Sequence, residues 1–228
     1  MKEHAKLSKP FRGIGMEGLI AKWYAKNMKT GGAMEQYRTW AKQAHEMVPD
    51  EGTILEVAPG PGYLAIELAK LGCSKIIGLD ISKTFVEIAQ KNAEEAGVNI
   101  EFRQGDAAHM PFHDETFDFV LCTSAFKNFT EPINALNEMH RVLKQGGNAW
   151  IVDLRRDYSE ESLDAFLQPV NGTDMNWFNL LMIKWTFNHM LRKRAYTKDE
   201  FSQLVSKSTF RTSEIQESPV ALEIQLQK

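Results

Sequence analysis

The spacing of apolar residues along the chain changes near residue 53. Before this point apolar side chains recur at helical intervals, which predicts two helices up to about Val48, separated by Gly31 and Gly32. From Thr53 onward short apolar runs alternate with amphipathic stretches, and the second such run ends at Asp80. Strands that alternate with helices in this way indicate a parallel sheet covered by helices.

Later segments continue the alternation. Strands are predicted over 100–102, 117–121 and 149–152, with a helix that starts at Pro132 and ends near Gly146. A helix over 198–206 and strands over 209–216 and 220–227 follow. The predicted fold class is α/β: a doubly wound, mostly parallel seven-stranded sheet (Rossmann-like) with a C-terminal antiparallel hairpin. Ligands of such sheets bind beyond the carboxyl ends of the strands.

One long connection, between residues 153 and 196, interrupts this pattern. It contains a run from Thr173 to Arg194 with helical spacing and apolar side chains around most of its circumference. Core packing, a lid over a substrate and a dimer face each account for such a helix, so the prediction allows a homodimer.

Composition narrows the classes of function. The chain has 228 residues, enough for one sizeable domain, and 27 Lys and Arg against 30 Asp and Glu leave a formal net charge of −3. This charge provides no basic field for nucleic acid. No apolar run reaches the roughly 18 residues of a membrane span, and Cys73 and Cys122 lack the paired spacing of a disulfide or zinc site. We expect a cytoplasmic protein with neither a nucleic acid nor a membrane partner.

A glycine-rich loop follows the first predicted strand. The sequence there is Glu56-Val57-Ala58-Pro59-Gly60-Pro61-Gly62, and glycines let backbone amides approach a ligand at a helix N-terminus. Residues 60–65 also fit the dinucleotide pattern G-x-G-x-x-A, with Asp80 at the distance of a ribose-binding acid. Asp106 and Ala107 follow the third strand, where a carboxylate can accept a hydrogen bond from an adenine amine. The loop predicts an adenosine-containing cofactor.

Together these residues resemble the class I S-adenosylmethionine-dependent methyltransferases over residues 53–154, in particular the small-molecule branch similar to ubiquinone and menaquinone biosynthesis methyltransferases. The resemblance implies S-adenosylmethionine as cofactor, with the ribose at Asp80, adenine at Asp106 and the methionine part near Thr123. The cofactor-binding residues expected from it are Glu56, Ala58, Gly60, Gly62, Asp80, Ile81, Asp106, Ala107 and Thr123. Tyr24, Tyr63 and Phe126 are aromatic candidates for contact with the positively charged sulfonium.

The sequence departs from the pattern of that family at two places. Ala58 stands where glycine is commonest, and residues 126–129 are Phe-Lys-Asn-Phe where many relatives carry histidines. We therefore assign no catalytic residue, and we expect Lys127 to be a solvated loop lysine. His109 and His113 are four residues apart, but the proline between them argues against a helical metal pair, so no metal is expected.

Charged residues after the fifth strand allow two interpretations. Asp153, Arg155, Arg156 and Asp157 fit either a site for a substrate anion or surface ion pairs. The basic run at 192–194 follows the insertion helix, where cations complement the helix dipole.

The sequence as a whole predicts a single-domain S-adenosylmethionine-dependent methyltransferase that acts on a small, partly apolar molecule by direct in-line transfer. We divide residues 1–228 into an N-terminal helical cap (1–48), a cofactor-binding core (49–154), a helical insertion or lid (155–196) and a C-terminal helix and hairpin (197–228). The alternatives are an NAD(P)-dependent oxidoreductase and a non-catalytic nucleotide-binding module of the same fold. The acceptor atom (O, N, C or S) and any general base are left open.

Overall fold

The computed structural model describes residues 16–29, 31–73, 75–171, 181 and 184–228. Within these residues one seven-stranded sheet has the order β3-β2-β1-β4-β5-β7-β6. The strands β1 to β5 pair in parallel, whereas β7 is antiparallel to both β5 and β6. The predicted fold class is thereby confirmed. The strands are β1 (Thr53–Val57), β2 (Lys75–Asp80), β3 (Glu101–Gln104), β4 (Phe117–Thr123), β5 (Leu143–Leu154), β6 (Thr212–Glu217) and β7 (Ala221–Gln227).

Helices cover both faces of this sheet. Phe119 and Trp150, on one face, pack in a core with residues of α2, α3 and α4, while Val120 and Ile151, on the other, pack with α5 and α7. Full burial of one such aliphatic or aromatic side chain contributes about 1.5–3 kcal/mol. Near the carboxyl ends of the parallel strands lie four buried polar residues, Glu56, Asp80, Thr123 and Asp153. The helices are α1 (Gly18–Met28), α2 (Gly31–Met47), α3 (Tyr63–Lys70), α4 (Lys83–Ala96), α5 (Pro132–Val142), α6 (Glu160–Asn171) and α7 (Lys198–Ser206), with a 3₁₀ turn at Phe126–Asn128.

Two predicted boundaries are wrong. Gly31 and Gly32 form the first turn of α2 instead of separating the two N-terminal helices. Gly146 does not end α5, because that helix stops at Val142 and Gly146 lies inside β5 with φ of +76°. Leu143 is buried at the junction, and a buried leucine satisfies the helical and the strand pattern equally well.

The insertion is described only in part. Residues 172–180, 182 and 183, which include ten of the 22 residues of the helix predicted from Thr173 to Arg194, lie outside the described residues. The described part contains α6, which was not among the predicted helices, a π-helical turn at Phe187–Leu191 and a helical turn at Arg192–Arg194. None of the helices described here is long and apolar enough to cross a membrane.

Candidate functional site

The loop after β1 makes a tight turn at the carboxyl edge of the sheet. Ala58, Gly60 and Gly62 have φ values of +58°, +54° and +78°, all in the left-handed region. A Cβ on Gly62 would lie 2.9 Å from both Ala89 Cβ and Phe102 Cζ, whereas a Cβ on Gly60 would meet nothing within 4 Å. Glycine at 62 therefore permits close helix packing, and the surface at Gly60 is open to a ligand.

Asp80 is bound to this loop. Its Oδ2 accepts a hydrogen bond from the Gly60 amide at 3.0 Å, and its Oδ1 accepts one from the Ser82 amide at 2.9 Å. Burial raises the pKa of Asp80, and the two amides oppose that shift. Each carboxylate oxygen has a second lone pair, so Asp80 can still accept hydrogen bonds from two ribose hydroxyls.

Glu56 is a buried acid beneath the same loop, with only 2% of its surface exposed. Burial raises the pKa of Glu56 to about 8, which the Ala65 amide opposes and the charge of Asp80 reinforces. Its Oε2 has no hydrogen-bond partner among the described residues. A buried polar atom without a partner is a feature that a bound polar ligand can satisfy. The loop, Asp80 and Glu56 thus fit an adenosine-type cofactor.

The other predicted residues lie at the ends of neighbouring strands. The Gly105 amide donates to the Asp80 carbonyl at 2.9 Å, which holds the loop after β3 against the end of β2. Asp106 is exposed in that loop, and its Oδ1 accepts from the Ala108 amide at 2.9 Å. The remaining three positions are Ile81, which is exposed, Ala107, which is half-buried, and Thr123, which is buried at the end of β4.

Lys127 is not the solvated lysine that the sequence predicted. The residue is 5% exposed, its Nζ lies 2.7 Å from Asp153 Oδ1 and also contacts the Ser124 carbonyl, and its amide donates to Asp153 Oδ2 at 2.6 Å. The 3₁₀ turn directs the lysine inward beside the fully buried Phe126. Lys127 follows β4 and Asp153 lies near the end of β5, so the pair can be recognised once β4 and β5 are known to be neighbours in the sheet.

Ion pairs account for the other charged residues after β5. Arg155 contacts Asp157 at 2.8 Å and Glu217 at 3.0 Å, and Arg156 contacts Glu200. Of the two interpretations of this cluster, the structure therefore favours ion pairs. No group of three or more His, Cys, Asp or Glu that could hold a metal occurs in the described ranges.

Tyrosines of the N-terminal helices lie over the same edge. Tyr24 and Tyr37 are close enough for each to shift the pKa of the other, and the ring centroids of Tyr37 and Tyr63 are 5.8 Å apart. Burial raises the pKa of Tyr24 and of Tyr37, and the charge of Asp153 adds to the shift of Tyr24 while the charge of Glu56 adds to that of Tyr37. These helices therefore reach from the end of β1 to the end of β5. The sequence interpretation missed Tyr37, although its helical spacing with Ala41 and Ala44 placed it on an inward face.

A short segment before α1 is fastened to the start of α4. The Glu17 carboxylate accepts hydrogen bonds from the amides of Lys83 and Thr84, at 2.9 Å and 3.1 Å, and from the Thr84 hydroxyl. The Ser82 hydroxyl donates to the Met16 carbonyl at 2.6 Å. Since the Ser82 amide also binds Asp80, α1 is connected to the candidate ribose site through one residue.

The strand order, the glycine loop after β1 and the acid after β2 define the class of S-adenosylmethionine-dependent methyltransferases. Residues 55–151 match the protein-family model described as "Methyltransferase domain". This part of the chain is therefore a class I methyltransferase domain, and the cofactor of that class is S-adenosylmethionine.

Sequence relatives refine this assignment. The demethylmenaquinone methyltransferase of Chlorobaculum parvum is 40% identical over 115 residues, which cover 50% of this chain and 46% of that protein. The uncharacterized methyltransferase YcgJ of Bacillus subtilis is 36% identical over 124 residues, covering 53% of this chain and 47% of that protein. The chain thus spans about half the length of the curated relatives that it matches.

Two solved structures show the breadth of the fold. A S-adenosylmethionine-dependent methyltransferase from Aquifex aeolicus superposes with a TM-score of 0.68 at 17% identity, covering 90% of this chain and 97% of that one. The cyclase SpnF superposes with a TM-score of 0.64 at 18% identity, covering 84% and 80%. At these identities the likeness concerns the fold alone.

Proposed function

We propose that the protein transfers a methyl group from S-adenosylmethionine directly, in line, to a small and partly apolar molecule. The observation that carries the proposal is the buried Asp80 carboxylate bound to the Gly60 amide, inside a domain matched to methyltransferases. When bound, the cofactor's sulfonium supplies an electrophilic methyl group. The tasks of this chain's own residues are then to bind, to orient an acceptor and to exclude water.

The proposed cofactor contacts follow the strand ends. Asp80 accepts hydrogen bonds from the ribose hydroxyls, and the loop from Glu56 to Gly62, with Ala58 and Gly60, offers an open backbone surface. The side chains of Ile81, Asp106 and Ala107 surround the adenine, and Thr123 borders the methionine part. The exposed Asp106 carboxylate retains lone pairs for an exocyclic amine.

The acceptor is proposed to bind between the tyrosines of the N-terminal helices and the turn after β4. Tyr24, Tyr37 and the half-buried Tyr196 provide surfaces that are apolar with one polar atom each, which suits a partly apolar molecule. Lys127 and Asp153 neutralise one another at 2.7 Å, so the pair holds the turn in place without presenting a net charge. We propose that the cap (1–48) and the insertion (155–196) close over this space.

Partners and location are extensions of the same proposal. We propose a small-molecule substrate and no nucleic acid partner, which agrees with the net charge of −3. The homodimer and the cytoplasmic location stay predictions from the sequence.

The first experiment is isothermal titration of the purified, ligand-stripped protein with S-adenosylmethionine, S-adenosylhomocysteine and NAD in parallel. We expect micromolar binding of the two sulfur nucleotides and none of NAD. Binding of NAD alone would replace the proposal with the oxidoreductase alternative.

Turnover is a separate test, because the fold also occurs in the cyclase SpnF. Release of S-adenosylhomocysteine is measured with a panel of small acceptors, including a demethylmenaquinone analogue because relatives bear that name. Cofactor binding without turnover on the whole panel, the quinone analogue included, would favour a non-catalytic module.

A further inference from the structure

Helix α1 carries a stripe of large apolar side chains on its outer face. Leu19, Ile20 and Trp23 are 83%, 64% and 66% exposed, and Met16, one turn earlier, is 42% exposed. Their spacing of three, four and seven residues places them on one side of the helix. Ala21 and Ala25, on the opposite side, are buried. The apolar stripe is thus not the side by which α1 packs on the protein.

Lysines border this apolar stripe. Lys22 follows Leu19 by three residues and Lys26 follows Trp23 by three, so both ammonium groups lie beside the stripe. Both are exposed, and within the described part of the chain neither lies within ion-pair distance of a carboxylate. The helix itself, GLIAKWYAKNM, contains no acidic residue. Its outer surface is therefore apolar along the middle and positive along one border.

Positive charge is concentrated in the part of the sequence that contains α1. Residues 1–29 contain seven Lys or Arg and two Asp or Glu, a net charge of +5, whereas the remaining 199 residues have a net charge of −8. The overall −3 conceals this separation, which is why composition alone indicated no interaction with an anionic surface.

We propose that α1 docks the protein onto the surface of an anionic lipid bilayer, with Leu19, Ile20 and Trp23 inserted at the headgroup boundary and the lysines at the lipid phosphates. An amphipathic helix with aliphatic and tryptophan side chains on one side and lysines beside them is the form that lies in a membrane interface. Such a helix needs only one apolar side and need not span the bilayer. The proposal differs from the sequence-based expectation of no membrane partner, and it does not depend on the proposed function.

A second copy of the chain is a poorer occupant of this stripe. Four side chains present a few hundred Å² of surface, against roughly 800 Å² per partner in a stable interface. In a two-fold arrangement the same residues meet one another, so Lys22 and Lys26 would approach the lysines of the other copy.

The test is co-sedimentation of the full chain with vesicles of phosphatidylcholine alone or with about 30 mol % phosphatidylglycerol, at low and high salt. We expect binding to the anionic vesicles that falls with salt and is at least tenfold weaker to the neutral vesicles. The double variant Leu19→Ser/Trp23→Ser and the double variant Lys22→Glu/Lys26→Glu are each expected to lower the partition coefficient roughly tenfold or more.

Leu71→Ser is the matched control, because Leu71 is also an exposed leucine, 39% exposed, but lies at the end of α3. It is expected to bind vesicles as the native protein does. Unfolding curves and far-ultraviolet circular dichroism spectra of every variant show whether the fold is intact. Absence of vesicle binding by the native protein, or equal binding by the Leu19→Ser/Trp23→Ser variant, would overturn the proposal. A native dimer that this variant converts to a monomer, without vesicle binding, would assign the stripe to a second copy.

Discussion

Glu56 and Asp153 are two of the buried acids at the carboxyl edge of the sheet, and their environments differ. Glu56 has a carboxylate oxygen without a partner in the described part of the chain, whereas Asp153 is bound by both the amide and the ammonium group of Lys127. Burial of an uncompensated carboxylate favours its protonated form, while a bound cation satisfies the charge. The two acids therefore predict different responses to mutation.

Glu56→Gln tests the first case. The pKa of Glu56 is raised from 4.5 to about 8. The resulting contribution of Glu56 to the free energy of unfolding is therefore fully present below pH 4.5 and is lost as the pH rises towards about 8. The native protein should thus lose a few kcal/mol of unfolding free energy relative to Glu56→Gln across this interval. Urea unfolding of both cofactor-free proteins at several pH values measures the difference. Two parallel stability profiles would contradict the raised pKa.

Lys127→Met tests the second case. Removal of the ammonium group leaves the Asp153 carboxylate buried without its cation, which costs about 3–5 kcal/mol of unfolding free energy. The double variant with Asp153→Asn should recover most of that loss, because no unpaired charge remains. Lys144→Met is the control, since Lys144 and Asp118 form a partly exposed pair at 2.7 Å that is worth less than about 1 kcal/mol. Equal losses in the two single variants would show that Lys127 is not buried in this way.

At the scale of secondary structure, the contact between the start of α1 and the start of α4 couples the N-terminal helices to the candidate site. The hydrogen bond from the Thr84 hydroxyl lowers the pKa of Glu17, so its carboxylate is charged at neutral pH. A negative charge at the N-terminus of α4 is stabilised by the helix dipole. Ser82 contacts both Met16 and Asp80, so it links the start of α1 to the acid that we assign to the ribose.

Glu17→Gln is expected to weaken S-adenosylhomocysteine binding three- to tenfold, corresponding to about 1 kcal/mol at a helix N-terminus. The amide retains the shape of the side chain but removes its charge. Glu46→Gln, an exposed change on α2, is the control and should leave the dissociation constant unchanged. Titration calorimetry measures the dissociation constant of S-adenosylhomocysteine for the native protein and for the two variants. Identical constants for the native protein and Glu17→Gln would mean that α1 and the cofactor site are independent.

The elements with a strong periodic pattern were predictable, and those whose placement depends on distant partners were not. The strand, glycine loop and helix around residues 53–70 follow from local spacing and turn chemistry. By contrast, the sequence interpretation missed α6, although Leu163, Phe166 and Leu167 recur there at helical spacing, because the surface against which they pack was not known. Lys127 is buried because it meets Asp153, which is 26 residues away in the chain. The contact of Glu17 with Thr84 spans 67 residues and has no local signature.

At the scale of the whole molecule, a ligand that binds only the folded state should stabilise the entire domain. S-adenosylhomocysteine at about one hundred times its dissociation constant is expected to raise the unfolding free energy by about 2.7 kcal/mol, and NAD should have no effect. In Asp80→Ala the affinity should fall by about 1–3 kcal/mol, so the same ligand concentration stabilises less. Thermal unfolding with each ligand measures both effects, and undiminished stabilisation of Asp80→Ala would exclude Asp80 from the ribose site.

The position of β7 between β5 and β6 determines the order in which the sheet can be completed. β7 is the last strand in the chain and pairs with β6 on one side and with β5 on the other. β5 lies about 70 residues before β7 in the sequence. The far side of the sheet therefore cannot assemble until residues 221–227 have been synthesised, and β5 and the face of α7 remain open until then. Long-range pairings of this kind slow folding, so this half of the protein is the part that a nascent chain exposes longest to aggregation and to chaperones.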